Sequence, residues 1–341
     1  MKAWRCVLVL GAAWLAGCTY SSEVPVGRDF GLEDFDCQVG SPAIVASVED
    51  PASMHRLRAR SGFAYVAAGT NGLAVIDVTD PEAPSLRGTL VHGEGSTTRV
   101  DLGATHAFVG AFADIVSVDI SDPDAPEEIG FVSPGSGVEG LLVDGNHVFA
   151  TNHRLYVADV SNPADPAIVD EIDIAGHVAG LDISNGYAFL GNAGQGLQVV
   201  DVSHPDAVSQ LEGVQFDDRP LEGDETSRRD VAESGGWVFV SGIEGVLFIL
   251  DATDPTALSL VAELGGFSSI LGVVAAGAYV FVADAGSLHI VDASDPASAS
   301  ILHSVPMPGG VQATHVAVSG SHAFVTTDGA GLQIIDLNCA E

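Results

Sequence analysis

The 341 residues are 47% hydrophobic and only 17% charged, with 40 glycines, a composition of short strands and tight turns that argues against disorder and against long helices. The formal net charge of -34 repels nucleic-acid phosphates and anionic lipid headgroups and so argues against nucleic-acid binding.

Residues 1–17 read as an export leader. Lys2 and Arg5 supply a positive start, and residues 7–15 are apolar but too short to span a bilayer. The leader ends in Leu15-Ala16-Gly17-Cys18, which resembles a bacterial lipoprotein box. Cleavage there leaves 10 basic residues against 46 acidic, a net of -36. The resemblance implies a lipid on Cys18, and two or more acyl chains would anchor the protein stably. Thr19 follows the cysteine in place of Asp, and by resemblance to lipoprotein sorting this points to the outer membrane of a bacterial envelope. Residues 18–41 lack periodicity and are expected to be the lipidated N-terminus and tether.

From residue 42 to residue 339 the chain repeats. Asp-x-Ser/Thr-x-Pro begins at Asp77, Asp119, Asp159, Asp201, Asp251 and Asp292, and a truncated copy begins at Asp336. The spacings are 42, 40, 42, 50, 41 and 44 residues, the period of propeller blades. Each unit divides into four strands. The second carries an aromatic at Tyr65, Phe108, Phe149, Phe189, Phe239, Phe281 or Phe324, and the third runs into the repeated Asp. That Asp is expected to accept hydrogen bonds from the next turn, because one Asp and one Ser supply too few oxygens for calcium. The position at Phe63, His106, His147, Tyr187, Trp237, Tyr279 and His322 is expected to pack between blades.

The second-to-third-strand hairpin occurs seven times, and the last copy has no fourth strand after Asp336. Residues 42–48 look like an orphan fourth strand at the other end. The expected fold is therefore all-β: a seven-bladed propeller closed by an N-terminal strand pairing into the last blade, which removes open sheet edges. Cys37 and Cys339 fall where this blade is cut, so a Cys37–Cys339 disulfide is expected in an exported chain.

Units such as Gly72-Leu-Ala-Val-Ile-Asp-Val-Thr-Asp-Pro81 resemble the bacterial LVIVD-repeat family. The resemblance implies an exported β-propeller, and brings no shared catalytic residues and no common ligand.

No metal, phosphate-loop or nucleophile-elbow motif is present, so no catalytic residue, metal ligand or cofactor is assigned. Function on a repeated scaffold lies where the repeats differ. Nine residues before the second-strand aromatic the chain reads Arg56, Arg99, Gly140, Gly180, Asp230, Gly272 and His315. By propeller geometry this is one mouth of the channel, joined by the second-to-third-strand loops and the insertion at 215–229. Arg56, Arg99, Arg229, Asp230 and His315 are the candidate ligand site, since guanidinium groups suit carboxylate, sulfate or phosphate. In the competing reading these arginines pair with Asp101, Glu139, Asp230 and Glu233 and only close the channel.

The sequence thus supports a monomeric, non-enzymatic envelope scaffold binding an envelope protein, a glycan or a small anion at the mouth. It would touch the membrane through its lipid anchor alone and bind no nucleic acid. The alternatives are a hydrolase or lyase using His315 and Asp230, and a purely structural envelope component.

Overall fold

The computed structural model describes residues 35, 37–49, 54–93, 95–192, 195–215 and 229–339. The leader, Cys18, most of the expected tether and the inserted residues 216–228 lie outside them.

The described residues form seven four-stranded antiparallel sheets. Six are meanders in chain order from an innermost to an outermost strand, and the seventh takes its outermost strand from the N-terminal end. The innermost strands are Leu57–Arg60, Thr97–Leu102, Gly140–Asp144, Val178–Ser184, Val231–Ser234, Ile270–Ala276 and Ala313–Ser319, heading blades 1 to 7. Blade 4 has a fourth strand of two residues, Ser209–Gln210, and Val214 extends the pairing through reciprocal backbone bonds with Leu197 at 2.8 and 2.9 Å.

Blade 7 closes the ring as expected. Ala43–Val48 pairs antiparallel with Leu332–Asp336, with Ala43 opposite Asp336 and Val48 opposite Leu332. A Cys37–Cys339 disulfide spans the junction with Cα atoms 5.0 Å apart, and Gly40 N–H donates to Leu337 O at 3.1 Å.

All seven repeated aspartates hold their turns. Asp77, Asp119, Asp159, Asp201, Asp251, Asp292 and Asp336 each accept from the backbone N–H two residues on, at 2.8–3.0 Å. Those bonds hold the carboxyls of Asp77, Asp201 and Asp251 below the usual range, the Thr or Ser hydroxyl contributing most.

The core is divided among the blade junctions. Each of seven apolar clusters holds one second-strand aromatic: Tyr65 between blades 1 and 2, Phe189 between 4 and 5, Phe324 between 7 and 1. All seven aromatics are buried. Phe63, Tyr187, Trp237 and Tyr279 pack against these clusters from the outside, as expected, while His106, His147 and His322 are half-buried. Each blade therefore buries its apolar faces only against its two neighbours, which makes ring closure a condition for burying the first and last.

Candidate functional site: the channel mouth

The innermost strands turn one side of their pleat toward the next blade and the channel. Asp101 of blade 2 accepts from Val143 N–H of blade 3 at 2.7 Å. Asp182 of blade 4 accepts from Glu233 N–H of blade 5 at 2.6 Å, and Asp230 of blade 5 from Val273 N–H of blade 6 at 2.9 Å. A first-strand carboxylate thus stitches successive blades at three junctions. At the mouth position itself two neighbouring blades approach too closely for any side chain. A Cβ at Gly180 would lie 2.1 Å from Arg229 O, and one at Gly272 would lie 3.0 Å from His315 Cα. At Gly180 and Gly272 it is the backbone of the following blade that leaves no room, whereas at Gly140 the crowding atom is Thr151 Oγ1 of the same blade, 2.2 Å from such a Cβ.

Arg56, Asp230 and His315 meet. One Arg56 Nη donates to Asp230 Oδ1, and Nη1 lies 3.1 Å from His315 Nε2. Asp230 and His315 are buried. Arginine is always a donor, so Nε2 must accept and the imidazole proton sits on Nδ1. That Nδ1 is buried with no hydrogen-bond partner among the described residues. Burial first, then the charges of Arg56, Arg58 and Arg99, holds the His315 pKa well below its ordinary value, so the ring is neutral.

Arg99 goes elsewhere. It is buried, donates from Nε to Glu139 O and from Nη1 to Thr98 O at 2.9 Å, and keeps Nη2 3.5 Å from Glu139 Oε2. Arg229 is buried beside Asp230, with its carbonyl against Gly180 and Gly191. One turn of pleat deeper, Arg58 pairs with Asp101 at 2.7 Å, and Arg60 donates to Gly103 O at 2.6 Å. Arg56, Arg58, Arg60 and Arg99 therefore have acidic or carbonyl partners within the protein, and Glu233 joins through its backbone to Asp182.

Asp182 was not picked out from the sequence. It is half-buried, and desolvation, aided by Glu233, raises its pKa to about 7 against the opposing pull of its backbone donors and Arg58.

Three residues of the second-to-third-strand loops are latches. Asn152 Nδ2 donates to Ser136 Oγ and to Gly137 O at 2.6 and 2.8 Å, and Asn192 Nδ2 donates to Ala175 O. Asp284 accepts from Ser268, Ser269 and Ala285 N–H groups. Each ties a second-to-third-strand loop to the connection leading into the same blade, and all three are buried. Phe112 is the opposite case, and sequence reasoning missed it. Its ring is 74% exposed and its φ is +55°. The available signal was a turn without glycine, where the corresponding turns of blades 1, 4, 5, 6 and 7 contain one.

Among the described residues no group of three or more His, Cys, Asp or Glu is arranged to hold a metal ion. None of their helices is long and apolar enough to cross a membrane.

The profile of the LVIVD repeat matches residues 55–91, 94–133, 137–173, 175–211, 227–264, 271–306 and 310–337, one match per blade. No protein of curated function matches the chain. Among solved structures, the chain is similar to the β-propeller domain of Cps50 (Swd1) from Myceliophteria thermophila, at 12% identity and TM-score 0.67, covering 86% of this chain and 99% of that one. It is also similar to BamB from Moraxella catarrhalis, at 14% identity and TM-score 0.56, covering 87% of this chain and 100% of that one. Identities this low establish the shared fold alone.

Proposed function

The chain belongs to the LVIVD repeat family, and from that membership we propose that it is a non-enzymatic propeller scaffold of a bacterial cell envelope, tethered through a lipid on Cys18, that binds a protein partner on its channel-mouth face. The observation carrying this reading is that the charged cluster at the mouth is occupied internally: Arg56 by Asp230 and His315, Arg58 by Asp101, Arg99 by Glu139. Recognition then falls to the loops around it, which differ from blade to blade. The hydrolase or lyase reading finds less support. Asp230 bonds Arg56, and His315 offers its acceptor nitrogen to the same arginine, so the pair forms no acid–base dyad.

Photo-crosslinking residues placed at Asn71, Glu244 and Asp328 on the mouth face, and at Asp122 and Asp254 on the opposite face, test the scaffold reading in the producing cells. Discrete protein adducts from the mouth face alone are expected. Adducts from the opposite face alone, or none, would refute it. Palmitate labelling lost in Cys18→Ala, with recovery in the outer-membrane fraction, is the result expected for the anchor.

One observation favours a small anion as a second reading: the buried, unpartnered His315 Nδ1–H, with Arg56, Arg58 and Arg99 close enough to depress that ring. A single acceptor such as chloride or a carboxylate oxygen fits such a donor. Thermal unfolding in chloride, acetate, phosphate and sulfate, each compared with Arg56→Ala and Arg99→Ala, separates the readings. An anion that raises the melting temperature only when both arginines are present supports this site.

A further inference from the structure

Phe112 stands at the tip of the second-to-third-strand hairpin of blade 2, and its backbone is held on two sides. Its N–H donates to Ser96 O at 3.1 Å, in the connection entering blade 2, and its carbonyl accepts from Val138 N–H at 3.0 Å, in the connection entering blade 3. The left-handed conformation costs a bulky residue about 1–2 kcal/mol. Glycine fits there without that cost, yet the glycine lies next door: a Cβ at Gly95 would meet Phe112 Cβ at 2.6 Å. The ring is thus fixed in a strained conformation with most of its surface in water, so the free protein gains little from having it.

The strands and connection of the same blade 1–blade 2 region expose further apolar side chains. Val91 is 53% and Phe131 52% exposed. The Phe131 ring lies 5.4 Å from His92, whose two nitrogens contact Glu128 at 2.7 Å and Asp114 at 3.1 Å, Asp114 being two residues beyond Phe112. Asp114 opens the strand that follows Phe112, so the exposed ring stands at the same hairpin as a carboxylate that His92 bridges to Glu128.

We infer that Phe112 is a preformed anchor for a protein partner, entering an apolar pocket edged by arginine or lysine. The pocket matches the rigid ring, and the basic edge matches the net charge of -34. That charge also opposes a second copy of this chain or an anionic lipid surface. The backbone bonds to Ser96 and Val138 hold the ring in place before the partner arrives, which lowers the ordering cost of association. The inference rests on the scaffold reading and narrows it to one corner of the mouth face.

The test places p-benzoylphenylalanine at position 112 of the full chain in the producing cells, beside the crosslinking positions at Asn71, Glu244 and Asp328. One protein adduct is expected, mapping by mass spectrometry to an apolar site flanked by basic residues on the partner. With that partner purified, Phe112→Ala should weaken binding at least tenfold, and Phe112→Trp should bind more tightly than Phe112→Ala. Adducts from the other mouth positions but none from 112 would overturn the anchor and leave the scaffold standing. An adduct at 112 to lipid, to glycan or to a second copy would also overturn it. Silence from every position would remove both readings.

Discussion

Arg56 of blade 1 and Asp230 of blade 5 share no blade junction, yet a guanidinium–carboxylate hydrogen bond joins them across the channel. His315 of blade 7 completes the bridge through Nε2, so three blades separated by up to 259 positions in the chain meet at one guanidinium. Removing one partner of a buried pair leaves the other unmatched at a cost of about 3–5 kcal/mol. Arg56→Ala should therefore lower stability far more than substitution of the exposed Arg87. The ring tautomer is the finer readout: nitrogen NMR should find His315 protonated on Nδ1 and unchanged between pH 8 and 5. A histidine titrating near its ordinary pKa would contradict the bridge.

The pH dependence of stability has two opposed contributions. His315 has a folded pKa well below its unfolded value, so its contribution is complete above about pH 6.5 and declines as the unfolded chain takes up the proton at lower pH. Asp182 has a folded pKa raised to about 7, so above the unfolded value near 3.9 its burial costs progressively more until pH 7 is passed. Asp182→Asn should abolish the loss of stability between pH 5 and 7, which amounts to at most about 1.4 kcal/mol per pH unit. Denaturant unfolding at pH 5, 6, 7 and 8 checks this. An unaltered slope in the variant would show that Asp182 ionises normally.

Reducing Cys37–Cys339, or replacing both by serine, should destabilise the ring by roughly 6 kcal/mol in the chain-entropy model, because the bond closes a loop spanning 302 positions. The loss should register in hydrogen exchange first at Ala43–Val48 and Leu332–Asp336. Uniform loss of protection across all seven blades at once would show instead that closure and the whole ring unfold together.

Gly180→Ala should be severely destabilising. Its Cβ would fall 2.1 Å from Arg229 O and 2.9 Å from Asp230 Cα, both backbone atoms of the next blade. Gly235→Ala, at a turn with open space around it, serves as the comparison, although its φ of +62° imposes its own smaller penalty. A loss of more than about 3 kcal/mol at position 180 and about 1 kcal/mol at position 235 is expected in denaturant unfolding.

Phe112→Gly should leave the melting temperature unchanged or raise it, by about 1 kcal/mol of relieved backbone strain, since so little of the ring is buried. A marked fall would show that the ring has a structural task in the free protein.

Much of the architecture was legible because each blade repeats the same local solution. The strand ending at Asp77 and its six counterparts recur with a turn that the Asp itself holds, so position along the chain identifies each hairpin. Residues 42–48 were readable as a displaced fourth strand because they match the fourth strand of blade 3, and Cys37 and Cys339 because they flank the same cut. The mouth was only half legible. Arg56, Asp230 and His315 were recognisable as departures from the repeat, but which of them meet depends on the width of the channel. Phe112 gave only the weak signal of a missing glycine, and Asp182 gave none, since an aspartate in an alternating strand looks like any solvated side chain.

The sequence alone determined the blade count, the closing strand and the disulfide, since these follow from period, register and turn chemistry, which act between near neighbours or equivalent repeats. Only the tertiary structure decided that Arg99 turns to Glu139 while Arg56 crosses the channel to Asp230, that glycine 180 makes room for the next blade, and that Phe112 projects into solvent. Those outcomes depend on how seven separately encoded sheets crowd around one axis, where desolvation and close approach between distant segments select the partners.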